Sequence, residues 1–227
     1  MTHATRPPLH HVRKVFKKTH DPIWQMQLSV VAIIGLQLLT SNTFLPFHKI
    51  WVVSIEVLLL LALIIVTSEG YSQISRSRRN LAVTLIALIA AVNIFSLILL
   101  MDALFVGHTT ISGRGLLLNG LAIYTTNVFM FALWYWEVDG GGPDRRRALQ
   151  ANRDFLFPQM MHTHFSRPDW LPGFADYLYL STTNVTNFAS ADTVPISHRA
   201  KFLMMIQALV SVITVVLVLA RAVSVLQ

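Results

Sequence analysis

The chain has 227 residues, 54% of them hydrophobic and 13% charged, with a formal net charge of +7 at pH 7 and no cysteine. Soluble domains carry about a quarter charged residues, so a water-soluble fold is not expected. Disulfides, thiolate metal sites and cysteine nucleophiles are excluded. The basic residues lie between apolar runs, so nucleic acid is not an expected partner.

Residues 1–22 form a basic tail with Pro7-Pro8 and His3, His10, His11 and His20, suited to lying near anionic headgroups. Apolar runs of about 18 residues or more read as transmembrane helices. Five are predicted: Ile23–Thr40, Ile50–Thr67, Leu81–Val106, Gly115–Val138 and Phe202–Val223. The first is too long for the apolar part of a secretory leader and no small-residue cleavage pattern follows it, so it reads as a retained span. Residues 23–106 then form a three-helix region. Residues 115–227 hold an outer helix (115–138), a linker (139–172), a polar segment (174–195) and a last helix (200–223). The expected class is an all-α membrane protein of five transmembrane helices. A membrane-depth segment, re-entrant or a sixth short span, precedes the last one.

Lys and Arg in short loops set orientation. The tail carries Arg6, Arg13, Lys14, Lys17 and Lys18, the second connection Arg76, Arg78 and Arg79, and the fourth Arg145, Arg146, Arg147, Arg153 and Arg167. The first and third connections carry only Lys49 and Arg114. The N-terminus is therefore expected on the cytoplasmic side of the membrane. A re-entrant 174–191 would then enter from the cytoplasmic side and leave the C-terminus outside. A full crossing, or a first run that does not span, would change that.

In the linker, Asp139-Gly-Gly-Gly-Pro143 stops the fourth helix, and no Gly-Lys-Ser/Thr follows to make a phosphate loop. Residues 144–156 are predicted as a short basic interfacial helix. Trp24, Trp51, Trp134, Tyr135, Trp136 and Trp170 fall at span ends, the pattern of an interfacial aromatic belt.

Glu56 lies well inside the second span, where a carboxylate costs about 2.5–3.5 kcal/mol unless paired or neutral. It is a candidate proton or cation site. Asn93, Asn119 and Asn127 are its expected partners across helices, and a satisfied polar knot is the structural alternative. Asp102 reads as interfacial. Met160, Met161, His162 and His164 offer soft ligands without a third fixed donor, so no metal is expected. No catalytic set is placed by the sequence, and neither an enzyme nor a cofactor is expected. The Asn184-Val-Thr186 sequon lies in the membrane-depth segment, which argues against its use. No span carries regularly spaced arginines, so a charged voltage sensor is absent.

The end of the chain resembles the pore module of potassium-channel-like proteins. Asp176-Tyr-Leu-Tyr-Leu-Ser181 resembles the pore helix, Thr186 to Asp192 occupies the filter position, Thr193-Val-Pro195 matches the exit turn, and Ser197 to Lys201 resembles the start of the inner helix. The resemblance implies a homo-oligomer, a tetramer in that module, passing monovalent cations. Its pore-like residues would be Thr182, Thr183, Thr186, Asn187, Phe188, Ala189, Ser190, Ala191 and Asp192. Ala189 and Ala191 stand where the filter has glycine, and alanine opposes the left-handed backbone by roughly 1–2 kcal/mol per residue. A potassium-selective ring of carbonyls is not expected. A wider constriction lined by Thr186, Asn187, Ser190 and Asp192 is.

Residues 75–227 also resemble an uncharacterised family of bacterial multi-span integral membrane proteins, through Trp134-Tyr-Trp136, Asp154-Phe-Leu-Phe157, the Asp-Tyr-Leu-Tyr segment and the Ser-x-Arg start of the last helix. That resemblance implies a bacterial membrane protein and supplies no activity. The functional expectation is a channel-like protein with a degenerate pore loop. The alternatives are a non-conducting scaffold or sensor of the same fold, and a small secondary transporter using Glu56.

Overall fold

The structure, a computed structural model, describes residues 23–40, 49–68, 76–106, 112–147, 152–161, 170–187 and 192–226. In chain order these form α1 (Ile23–Leu39), α2 (Lys49–Ser68), α3 (Arg76–Val106), α4 (Gly113–Val138), a 3-10 turn (Asp139–Gly141), α5 (Pro143–Arg147), β1 (Phe155–Leu156), α6 (Pro158–Met161), α7 (Phe174–Thr186), β2 (Val194–Pro195) and α8 (His198–Leu226). Among them α2, α3, α4 and α8 are long and apolar enough to cross a membrane. The first predicted span, α1, is not among them: it has 17 described residues, about 26 Å at 1.5 Å per residue. The chain turns out of the helix at Thr40, whose hydroxyl donates back to the Leu36 carbonyl at 2.9 Å.

Helix α4 is the axis of the bundle, packing against α8, α7, α3 and α1. Small residues let helices approach where hydrocarbon gives no other drive to associate. At Gly120 a Cβ would lie 2.5 Å from Val218 Cγ2 of α8. The core holds Met26, Ile33, Leu63, Leu85, Ile86, Ile89, Tyr135, Trp136, Phe155 and Tyr177. Leu28, Leu58, Leu61, Ile98, Leu209, Val216 and Leu219 remain exposed, an outer surface far more apolar than water tolerates over such an area.

The aromatic belt is half corrected. Trp24 and Trp51 are exposed at helix ends as a belt requires, but Tyr135 and Trp136 are buried in the core. Trp136 stacks edge-on with Phe174, and Tyr135 with Phe155. Their positions near the end of α4 face inward because α7 and β1 cover that end.

The glycine stop behaves as expected: Gly140 and Gly141 take φ of 60° and 80°, values that L side chains resist. The predicted basic helix over 144–156 does not form as such. Helix α5 is described as far as Arg147, residues 152–154 are not helical, and Phe155 and Leu156 form a strand opposite Pro195 and Val194.

That two-stranded clasp stands beside the foot of α7 and the start of α8. The first turn of α7 is held to the end of α4, where the Tyr177 hydroxyl donates to Asp139 Oδ2 at 2.6 Å. The segment comes back to the same place, where Ile196 N donates to the Asp154 carbonyl at 2.8 Å and Asp154 N to Asp139 Oδ1 at 2.7 Å. Tyr177 near the start of α7 and Ile196 ahead of α8 therefore both lie at the Asp139 end of α4. Helix α8 then runs antiparallel to α4, Gln207 meeting Tyr135 and Ser211 meeting Asn127.

Candidate functional site

Helix α7 starts where Gly173, in extended backbone, donates its N–H to Asp176 Oδ2 at 2.7 Å, an acidic group well placed on the first turn. Burial holds the Asp176 carboxyl above its ordinary range, opposed by that hydrogen bond. Phe174, Tyr177, Leu180, Ser181, Asn184 and Val185 are buried, the 3.6-residue stripe of a helix with one covered face. Asn187 ends it, its N–H reaching the Thr183 carbonyl at 2.9 Å.

The covered face carries a closed polar network. Ser181 Oγ donates to the Val128 carbonyl at 2.7 Å and accepts from Gln207 Nε2 at 2.6 Å. Gln207 Oε1 accepts from Asn184 Nδ2 at 2.8 Å and from the Tyr135 hydroxyl. Asn184 Nδ2 also reaches the Met204 carbonyl at 3.0 Å. One turn further along α8, Asn127 Nδ2 donates to Ser211 Oγ at 2.8 Å. Three helices are thus tied by side-chain amides and hydroxyls in an apolar interior, where an unpaired member would be costly. Val128 lies about 15 Å inside the Asp139 end of α4, at 1.5 Å per residue, so α7 reaches deep between α4 and α8.

Its base is a second polar centre. Asp139, fully buried, accepts from Tyr177 and from the N–H groups of Asp154 and Phe155, and pairs with Arg153 at 3.5 Å. The Arg146 guanidinium donates to the Trp136 carbonyl and, at 2.8 Å, to the Asp139 carbonyl, satisfying the end of α4. Its charge stands 5.1 Å from the Tyr177 ring centre and 5.8 Å from that of Trp136, within cation–π range. Burial, reinforced by the Asp139 charge and opposed by Arg146 and Arg153, holds the Tyr177 hydroxyl well above its ordinary range, so it stays a donor. Beside this centre Arg78 of α3 pairs with buried Glu137 at 3.0 Å.

The uncovered side of α7 holds Thr182, Thr186 and Asn187, which are exposed, with Thr183 half-buried. The hydroxyls of Thr182, Thr183 and Thr186 donate to carbonyls one turn back in their own helix, at 2.8, 3.1 and 2.9 Å. Asp192 is exposed two residues before β2. Phe188, Ala189, Ser190 and Ala191 lie outside the described residues, as do His162 and His164. The sequon residue Asn184 is buried with its amide engaged, which closes it to modification in the fold.

Among the intramembrane candidates, Glu56 is buried, but its partner is not Asn93, Asn119 or Asn127. Gln37 of α1 donates Nε2 to Glu56 Oε1 at 3.1 Å. Asn127 is committed to Ser211, and Asn119 Nδ2 donates to the Gly115 carbonyl within its own helix. For Asn119 and Asn127 the geometric reason is that α1, rather than α4, packs beside α2. No family model matches the chain, and no curated protein or solved structure matches it either.

Sequence reasoning missed Ser181, Asn184, Gln207 and Tyr135 as one assembly, and Asp139 as the centre of a second. The available signal was Gln207, an amide inside the apolar run of the last helix, together with the three-residue spacing of Ser181 and Asn184.

Proposed function

We propose that the protein is an oligomeric, channel-like protein of the bacterial inner membrane, with five spans, a cytoplasmic N-terminus and α7 as a re-entrant helix entering from the cytoplasmic side. One observation carries this reading. Thr182, Thr186 and Asn187 are exposed on α7 at a depth where the neighbouring surface of α8 is Phe202, Met205 and Leu209. Hydroxyls and amides at that depth belong against protein or a wet cavity rather than acyl chains. Copies of the chain placed around a common axis, as the pore-module resemblance implies, would give them that cavity. The exposed Asp192 at its mouth supplies the negative charge that attracts cations. Monovalent cations pass without potassium selectivity in this reading.

The test is ion flux through liposomes containing the purified protein. Similar flux of sodium and potassium, weakened by Asp192→Asn, is expected. Liposomes that stay tight to both ions overturn the proposal.

A second reading, a non-conducting scaffold of the same fold, is favoured by the threonine hydroxyls being turned back onto their own helix. In that case Asp192→Asn changes assembly or stability and leaves permeability at background.

A further inference from the structure

Glu56 of α2 is fully buried, and Gln37 and Asn93 are 5% and 3% exposed. Gln37 donates through Nε2 to Glu56 Oε1. Among the described residues, the remaining oxygen of each partner, Glu56 Oε2 and Gln37 Oε1, has no hydrogen-bond donor. Both atoms are acceptors if the carboxyl is ionised, so the pair as a carboxylate leaves two buried lone-pair sites facing nothing that can donate. Buried polar groups are rarely left so.

No cation among the described residues relieves it. Helices α1 and α3 pack on α2, and α1 contains no charged residue. The charged residues of α3 are Arg76, Arg78, Arg79 and Asp102, towards its two ends. Val52, one turn before Glu56 on α2, packs with Val92 and Leu88, and Asp102 stands about 15 Å beyond Val92 along α3 at 1.5 Å per residue. On α2 itself, Lys49 is engaged with the carbonyls of Leu38 and Thr40.

Beside the pair lies a small cavity of about 10 Å³, measured to the centre of a water molecule, lined by Gln37, Thr40, Asn93, Ser96, Thr126 and two apolar side chains. That volume is at the threshold for one water, which also needs two to four polar partners. The lining offers them, including Asn93 Nδ2, a buried donor with no acceptor among the described residues.

We infer that Glu56, Gln37 and this cavity form a buried proton-binding site, holding Glu56 as the neutral acid with one water beside it. A single proton on Glu56 Oε2 turns that oxygen into a donor, and Gln37 Oε1 is the acceptor left open for it. The carboxylic acid and the carboxamide then close a two-bond ring, resolving both orphaned oxygens at once. The water takes the Asn93 N–H and links it to the Ser96 and Thr126 hydroxyls. A bound sodium ion suits the site less well, because Glu56 does not line the cavity and the ion would sit apart from the one negative charge. The inference concerns α1 to α4 and is independent of any pore at α7.

Infrared spectroscopy of the purified full chain in liposomes at neutral pH tests this, with protons and sodium as the probes. A protonated-carboxyl C=O band is expected that shifts in D2O, disappears in Glu56→Gln, moves in Gln37→Leu and is unaffected by added sodium. A wild-type spectrum without such a band overturns the inference, as does a band that neither variant alters or one that sodium titrates away. Should Glu56→Gln fail to fold, the D2O shift and the Gln37→Leu displacement decide the matter.

Discussion

The Tyr177 hydroxyl and Asp139 Oδ2, 2.6 Å apart and both buried, join the foot of α7 to the end of α4. Through the same carboxylate the linker strand and Arg153 are held as well. Whatever α7 does, it does from this anchor.

Removing the anchor is expected to be severe. Asp139→Ala strands the Tyr177 hydroxyl, two backbone N–H groups and the Arg153 charge, and breaking a buried ionic centre costs about 3–5 kcal/mol. Tyr177→Phe removes one hydrogen bond to a charged group, about 1.5–3 kcal/mol. Thermal melts in detergent check both. The double variant should lose less than the sum, because the two share one bond.

The network above the anchor gives a second expectation. Gln207→Leu takes one partner each from Ser181, Asn184 and Tyr135; Ser181 and Asn184 keep the Val128 and Met204 carbonyls, while a buried group left unpaired costs about 1–3 kcal/mol. Ser181→Ala should cost clearly less, since Gln207 keeps Asn184 and Tyr135. Equal melting temperatures for the two variants would show that the network does not hold α7.

Close packing of α4 on α8 gives a third. Gly120→Ala drives a methyl against Val218 Cγ2, 2.5 Å away, an overpacking cost of about 1–3 kcal/mol. Val218→Ala in the same chain should restore most of the loss, whereas a helix-propensity effect alone would favour alanine at 120.

A fourth concerns pH. Burial raises Asp176 above its ordinary value of 3.8, so the folded protein binds this proton more tightly than the unfolded chain does. The stability gained is fully present below the unfolded value and is lost as pH rises through the raised one. Asp176→Asn keeps an oxygen for the Gly173 N–H and escapes that loss. Its melting temperature relative to wild type should therefore be higher at neutral pH than in acid, with the gap closing on acidification.

How much of this was legible beforehand follows from what sets each feature. Apolar run length fixed the helices to within a few residues: Gly115–Val138 became Gly113–Val138, and Phe202–Val223 grew to His198–Leu226. The growth came at ends where Arg199 and Lys201 continue a helix beyond its apolar part. The partner of Glu56 was not legible, because Gln37 becomes its neighbour only once α1 is laid beside α2. Arg78 read as an orienting charge, and only the packing of α3 on α4 brings it to Glu137. Asp139 looked like part of a glycine stop, since nothing local announces that a tyrosine 38 residues away will donate to it.

The proposed role of α7 is tested most directly by a cysteine at Thr186 in this cysteine-free chain. In liposomes, Thr186→Cys should react with a charged, membrane-impermeant thiol reagent, and the reaction should block cation flux. Leu209→Cys, on the apolar outer face of α8, should stay unmodified. A Thr186→Cys protein that resists the reagent, or reacts and conducts as before, would mean that the hydroxyl face of α7 lines no aqueous path.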